Sequence, residues 1–196
     1  SLVEVTGADL RAWLERSASG FRQILPGGGD QPLIQPDFPA YCFDVLDGLT
    51  YAFDLSQPSR FSPGGDLLDP AATRLQDLLH EGEPVTDQDR FVVATNTYRL
   101  GGGGHFPIAN RGHRVINTNV AARDALIDMF EEESPIVPYR RQTWSLAPIP
   151  GARARFSTGI GALTHFNGMD DRRLHVLGES DTGWVEMALD LALPPA

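Results

Sequence analysis

Hydrophobic residues follow two different spacings along this chain, and the switches between them mark its elements. Val3-Glu4-Val5 alternates as a strand does, so the sequence opens as though already inside one. Leu10, Trp13 and Leu14 then recur at i, i+3 and i+4, one face of a helix. Thr6 and Asp9 stand three apart just before them, close to the capping-box pattern, and Gly20 supplies a stop. Residues 26–39, from Pro26-Gly27-Gly28-Gly29 to Pro39, carry enough glycine and proline to predict loop throughout. Tyr41 to Leu46 and Leu49 to Leu55 read as a hairpin around Asp47-Gly48, a type I′ turn signal.

Two more strands are expected at Leu75 to Leu79 and Phe91 to Thr95, separated by the turn-like His80-Glu81-Gly82-Glu83-Pro84. Phe91-Val92-Val93-Ala94 is apolar on successive residues, as in a strand buried on both faces. It runs through Asn96 and Tyr98 into four glycines, Gly101 to Gly104. Asn119 is placed to cap a second helix turning Val120, Leu126, Ile127 and Phe130 inward, with Glu131, Glu132 and Glu133 solvated at its carboxyl end. Short strands near 143–146 and 152–156, a short helix near 160–167, and strands near 174–178 and 183–191 complete the pattern. Strands and helices interleave without repeat or linker, which predicts one α/β (α+β) domain over residues 1–196.

Composition changes this picture by exclusion. The 196 residues suffice for one buried core, and 16 basic against 26 acidic side chains leave a net charge of −10. Such a surface disfavours a nucleic-acid polymer or an anionic membrane, yet leaves a single small nucleotide open. No apolar run approaches the roughly 18 residues of a membrane span. Cys42 is the only cysteine, so it forms neither an internal disulfide nor a thiolate zinc site. On its expected strand it reads as a small buried hydrophobe. The abrupt opening, without a signal peptide, reads as the start of an excised fragment.

Candidate chemistry is sparse. The glycine run is neither a P-loop, lacking the following Gly-Lys-Ser/Thr, nor a dinucleotide fingerprint, since Phe106-Pro107 stands where a helix would begin. It suits either a backbone that approaches a ligand closely or a flexible surface loop. Tyr98 beside it is either a platform for a planar base or a rim tyrosine with a wet hydroxyl. The five histidines (His80, His105, His113, His165, His175) have no paired-ligand spacing. Asp47 is explained by its turn, and Asp44 and Asp54 by a polar strand face. Arg60, Arg74, Arg99 and Arg111 are cations that could meet a phosphate, though their spacing does not unite them. No serine occupies a nucleophile elbow, and no catalytic set is recognisable.

Several stretches in chain order carry a resemblance. These are Val5-Thr6-Gly7 with Trp13-Leu14-Glu15, Tyr41-Cys42-Phe43-Asp44-Val45-Leu46-Asp47-Gly48, and Asp54-Leu55-Ser56-Gln57-Pro58-Ser59-Arg60. Ala94-Thr95-Asn96-Thr97-Tyr98-Arg99 with its glycines, and Trp144-Ser145-Leu146-Ala147-Pro148, continue the series. Together they resemble the C-terminal domain of the 5′-nucleotidase family, in particular its bifunctional 2′,3′-cyclic-nucleotide 2′-phosphodiesterase/3′-nucleotidase branch. The resemblance implies a four-layer α/β/β/α sandwich with mixed sheets that holds the nucleoside of a nucleotide substrate. It also implies an N-terminal metallophosphoesterase domain, outside this chain, carrying two divalent metal ions. A periplasmic or secreted location would follow, with this chain inactive by itself.

Carried over by position, Tyr98 matches the base-stacking aromatic, Asn96 its strand end, and Gly101, Gly102, Gly103 and Gly104 the loop that admits the nucleoside. The loop at Asp37 and Phe38 matches one that lines the pocket from another side. A second stacking aromatic would precede Val3, outside this chain. Gly104 stands where 5′-nucleotidases place an aspartate on the ribose hydroxyls, a departure that disfavours the 5′-nucleotide or UDP-sugar alternative. A free-standing nucleoside-binding module without catalysis is the remaining alternative.

Overall fold

The alternation in the opening residues is realised as strand β1 (Leu2–Thr6), whose Val3 and Val5 point into the core. The computed structural model describes residues 1–108, 114–133, 135–137, 141–166 and 173–194. β1 leads into helix α1 (Gly7–Ala18), then strands β2 (Gly29–Pro32), β3 (Leu49–Phe53), β4 (Leu75–His80), β5 (Glu83–Pro84) and β6 (Arg90–Ala94). A one-turn helix α2 (Thr97–Leu100), strand β7 (Val115–Ile116), helix α3 (Ala122–Glu132) and strand β8 (Trp144–Leu146) follow. Strand β9 (Ala152–Gly159), helix α4 (Ala162–Phe166) and strands β10 (Leu174–Glu179) and β11 (Trp184–Asp190) come last. The architecture is a mixed α/β single domain, as expected. Its sheets run β6-β1-β7, β10-β11-β9-β2 and β5-β4-β3-β8. The second and third are mixed, because β2 pairs parallel to β9 and β3 parallel to β8.

Helix α1 begins as the sequence predicts. Thr6 Oγ1 accepts from the Asp9 N–H at 3.2 Å, and Asp9 Oδ2 accepts from the Thr6 N–H at 2.9 Å, which closes a reciprocal capping box. Leu10, Trp13 and Leu14 are buried, but so are Glu15, Arg16 and Ser17 on the remaining sides. The helix packs against β1 and β4, and buried polar side chains there need partners. Glu15 Oε1 accepts from the N–H groups of Arg74 and Leu75, both at 2.8 Å, and from the Thr73 hydroxyl at 2.7 Å. The Arg74 guanidinium returns the link, donating to the carbonyls of Ala18 and Phe21 at the carboxyl end of α1. That end of the helix favours a cation. Burial pushes the Arg74 guanidinium down to about 10, against the pull of Glu15 and Asp54.

Several expectations change. Leu49–Phe53 is a strand, but Tyr41 to Leu46 is not its hairpin partner. Ala40–Cys42 forms a 3₁₀ turn after Pro39, and the two edges of β3 are taken by β4 and β8. Asp47-Gly48 survives as a turn, with Gly48 at φ +88°. Cys42 is buried in the 3₁₀ turn rather than on a strand. Strand β6 is an edge strand instead of one covered on both faces. Its residues alternate, with Phe91 and Val93 packed on the core and Val92 60% exposed. The loop predicted over 26–39 contains β2, at a sheet edge where Pro32 costs no ladder bond.

Asn119 does not cap α3. The N-cap position is Ala121, with no side-chain bond, while Asn119 is left-handed (φ +54°) and its N–H bonds Asn117. Val120, Leu126, Ile127 and Phe130 are exposed rather than turned inward, since α3 packs broadly on no other described helix or strand. The helix predicted near 160–167 is α4, ending at Phe166, so its last position lies outside the described residues. So do His113 and Arg111. No described helix is long and apolar enough to cross a membrane.

Two substitutions separate the cap of α1 from its buried anchor. Thr6→Ala is expected to lower the unfolding free energy by about 1 kcal/mol. Glu15→Ala, which strands two buried N–H groups, is expected to cost about 3 kcal/mol. Denaturant titration with an unchanged m-value checks both, and equal losses would contradict this ordering.

Candidate functional site

Where β6 ends, Asn96 turns the chain. Its side-chain oxygen accepts from the Arg99 N–H at 2.9 Å and caps the single turn of α2. Tyr98 therefore projects from a helical turn rather than from a strand end. The Gly101 and Gly102 N–H groups bond back to the carbonyls of Thr97 and Arg99, closing that turn. Gly102 and Gly104 then adopt φ of +89° and +77°, which L side chains rarely enter, so these two positions need glycine for backbone reasons.

Gly103 is required for a different reason. A Cβ there would lie 2.5–2.6 Å from Cε2, Cζ and Cδ1 of Tyr98. Cδ1 and Cε2 are opposite corners of the ring, so the ring lies flat over Gly103. One face of Tyr98 is thus covered by backbone, while the residue as a whole is 52% exposed.

Beneath the loop lie two buried guanidiniums. Arg99 donates to both carboxylate oxygens of Asp44 (2.7 and 2.8 Å) and to the carbonyls of Tyr41 (2.8 Å) and Gly103 (3.3 Å). Its hydrogen bonds to the Asp44 carboxylate raise the Arg99 pKa, against the effect of burial. The guanidinium carbon stands 4.5 Å from the Phe106 ring centre and 5.3 Å from that of Tyr98. Arg16 reaches the same loop from α1, donating to the Gly104 carbonyl (3.1 Å), the Pro63 carbonyl (3.0 Å) and the Ser19 hydroxyl (2.6 Å). Its guanidinium carbon is 5.0 Å from the Phe38 ring centre and 5.7 Å from that of Phe106. Burial lowers the Arg16 pKa, with Cys42 and Asp44 opposing and Arg99 reinforcing. A guanidinium remains cationic all the same.

The structure thus joins Tyr98 with Asn96 and Gly101 to Gly104 in one continuous feature. Phe38 belongs to it only from below: it is buried against Arg16 and Gly20, with no open face. Asp37 is exposed on the neighbouring loop. Asp44 is no mere polar-face residue, since it holds Arg99 and accepts from Trp13 Nε1 at 2.9 Å. Asp54 organises its own turn, accepting from Ser56, Gln57 and Gln76. Of the four candidate arginines, Arg74 is consumed by carbonyls and Arg99 by Asp44, while the Nε of Arg60 is buried without a partner. Arg16, Asp44 and Phe106 were not singled out from sequence as parts of this feature. The available signal for Arg16 was the charged pair Glu15-Arg16 directly after Trp13-Leu14 on the expected helix.

Among the described residues no three His, Cys, Asp or Glu side chains gather where they could hold a metal ion. A cleft of about 320 Å³ is walled in part by Trp13, Phe43, Asp44, Asn96 and Arg99.

With this geometry in hand, comparison with known proteins gives consistent results. A family model described as the 5′-nucleotidase, C-terminal domain, matches residues 1–111. The trifunctional nucleotide phosphoesterase protein YfkN of Bacillus subtilis is 36% identical over 171 residues, covering 87% of this chain and 12% of that protein. The 2′,3′-cyclic-nucleotide 2′-phosphodiesterase/3′-nucleotidase of Haemophilus influenzae is 36% identical over 157 residues, 76% of this chain and 24% of its own length. Its counterpart from Yersinia enterocolitica is 31% identical over 201 residues, 97% of this chain and 31% of its own. The chain therefore spans under a third of the length of these relatives. A crystal structure of a Staphylococcus aureus protein described as a 5′-nucleotidase superposes with a TM-score of 0.58 at 19% identity. It covers 74% of this chain and 26% of that one, a likeness of fold.

The flat seat of Tyr98 is directly observable. The ring current of Tyr98 is expected to shift the Gly103 Hα resonances upfield, and Tyr98→Leu to abolish that shift. Gly103→Ala is expected to leave the fold intact while displacing the ring. Ordinary Gly103 shifts in the unaltered protein would contradict the arrangement.

Proposed function

The chain belongs to the 5′-nucleotidase C-terminal domain family, and from that premise we propose that it holds the nucleoside of a nucleotide for a metal-dependent phosphoric ester hydrolase. The substrates proposed for the whole polypeptide are 2′,3′-cyclic nucleotides and 3′-nucleotides. One observation carries the reading: Tyr98 lies flat on Gly103 at the edge of a glycine loop and is still 52% exposed, which we take as leaving the face away from Gly103 open. A planar base can stack on the open face alone. That is the geometry of a site completed from the opposite side by another group. The names of three relatives, nucleotide phosphoesterases at 31–36% identity, support the substrate class.

Catalysis itself is assigned to the polypeptide outside this chain. No three His, Cys, Asp or Glu side chains gather among the described residues to fit a divalent ion, and these residues are given a binding role only. The proposed division places both metals in an N-terminal metallophosphoesterase domain and leaves binding and orientation to these residues. A periplasmic or secreted location is part of the same proposal. Gly104, in the position that the resemblance gives to an aspartate, favours this branch over 5′-nucleotide or UDP-sugar hydrolysis.

Tyr98→Ala in the full polypeptide is expected to raise KM for 3′-AMP about 10- to 100-fold, the loss of one base–aromatic stack, with bound metal unchanged. An unchanged KM would return Tyr98 to a rim tyrosine. The chain alone, supplied with divalent metal, is expected to release no phosphate from 3′-AMP. Metal-dependent release would overturn the division of labour.

A further inference from the structure

Resting on the reading of Tyr98 as the base platform, we propose that Arg16 is a positioning residue for that platform, acting through the glycine loop without touching the nucleotide. Arg16 is 1% exposed and lies one layer beneath the loop. Its three hydrogen-bond acceptors come from three separate places: Gly104 in the glycine loop, Pro63 in the 62–66 turn, and Ser19 at the end of α1. All three acceptors are neutral, so the desolvated cation is held by geometry rather than by a carboxylate partner. Breaking any one leaves a buried charge short of an acceptor. The ring of Phe38 lies against the same guanidinium, tying in the loop next to the site.

The consequence for Tyr98 is geometric. The orientation of its ring is set by the Gly103 backbone beneath it. The carbonyls of Gly103 and Gly104 are gripped by Arg99 and Arg16 respectively. Arg99 is itself fixed by Asp44, on the 43–48 segment, so the loop hangs between two anchors on different parts of the fold. The 62–66 turn closes on it as well: a Cβ on Gly65, at φ +102°, would meet His105 Cβ at 2.5 Å and Arg16 Nε at 3.2 Å. Loss of the Arg16 anchor releases the Gly104 end and lets the seat of the ring move. A fork of three donors is needed here, and lysine cannot reproduce it.

The test is a double-mutant cycle in the full polypeptide, reading KM and kcat for 3′-AMP with thermal unfolding alongside. Arg16→Lys is expected to raise KM about tenfold with kcat changed less than about twofold, because the platform is misplaced while the chemistry lies elsewhere. In the Tyr98→Ala background the same substitution is expected to have little further effect on KM, since its route to the nucleotide is gone. Full additivity, or an Arg16→Lys KM equal to the unaltered enzyme's, overturns the positioning role. If Tyr98→Ala alone raises KM while Arg16→Lys does not, the base platform stands and this inference fails. If Tyr98→Ala has no effect, both fail. Should Arg16→Lys not fold, Ser19→Ala removes one acceptor of the guanidinium. It is expected to raise KM about threefold, and an unchanged KM overturns the proposal.

Discussion

A helix whose last six residues, Trp13 to Ala18, are all buried, with Glu15 and Arg16 among them, constrains everything around it. Glu15 and Arg16 are adjacent on α1 and each only 1% exposed. Charges taken so far from water are tolerated only where fixed dipoles replace it. Glu15 recruits the N–H groups at the start of β4, and Arg16 recruits carbonyls from two loops. The start of β4 and both loops are thereby tied to one turn of helix through Glu15 Oε1 and the Arg16 guanidinium, while Glu15 Oε2 is buried with no partner. Arg74 extends the same logic by capping the far end of α1.

This constraint gives the glycine run its meaning. Four glycines alone would make a floppy segment with a large entropic cost of ordering. Here Gly102 and Gly104 take the left-handed turns, Gly103 accepts the Tyr98 ring, and two buried guanidiniums hold the carbonyls. The result is a surface aromatic with a rigid backing, at an entropy cost already met by folding. Preorganisation of that kind is what a binding platform requires.

Sequence reasoning located much of this and misread its surroundings. The α1 cap was legible because it depends on Thr6 and Asp9 three residues apart, a purely local relation. Strands β4, β8, β10 and β11 were legible from short apolar runs, and β9 from Ala152, Ala154 and Phe156 alternating with arginines. The partner of β3 was not, because pairing is decided by which strands compete for its edges, and β4 and β8 won over the nearby 41–46 segment. Tyr98 and the glycines could be marked from their adjacency and from the resemblance. The inward turn of Phe38 and the roles of Arg16 and Asp44 could not, since those rest on contacts between residues 22 to 88 positions apart. The exposure of Leu126, Ile127 and Phe130 shows the same limit, since a helical stripe tells which residues share a face and nothing about what covers it.

Tyr98 is proposed to receive the base of a nucleotide on its face away from Gly103. A crystal structure of the full polypeptide with adenosine bound tests it most directly. The adenine ring is expected parallel to Tyr98, about 3.5–4 Å away, on the face opposite Gly103. Adenosine bound elsewhere, or a Tyr98 ring lifted from Gly103 to make room on that side, would contradict it.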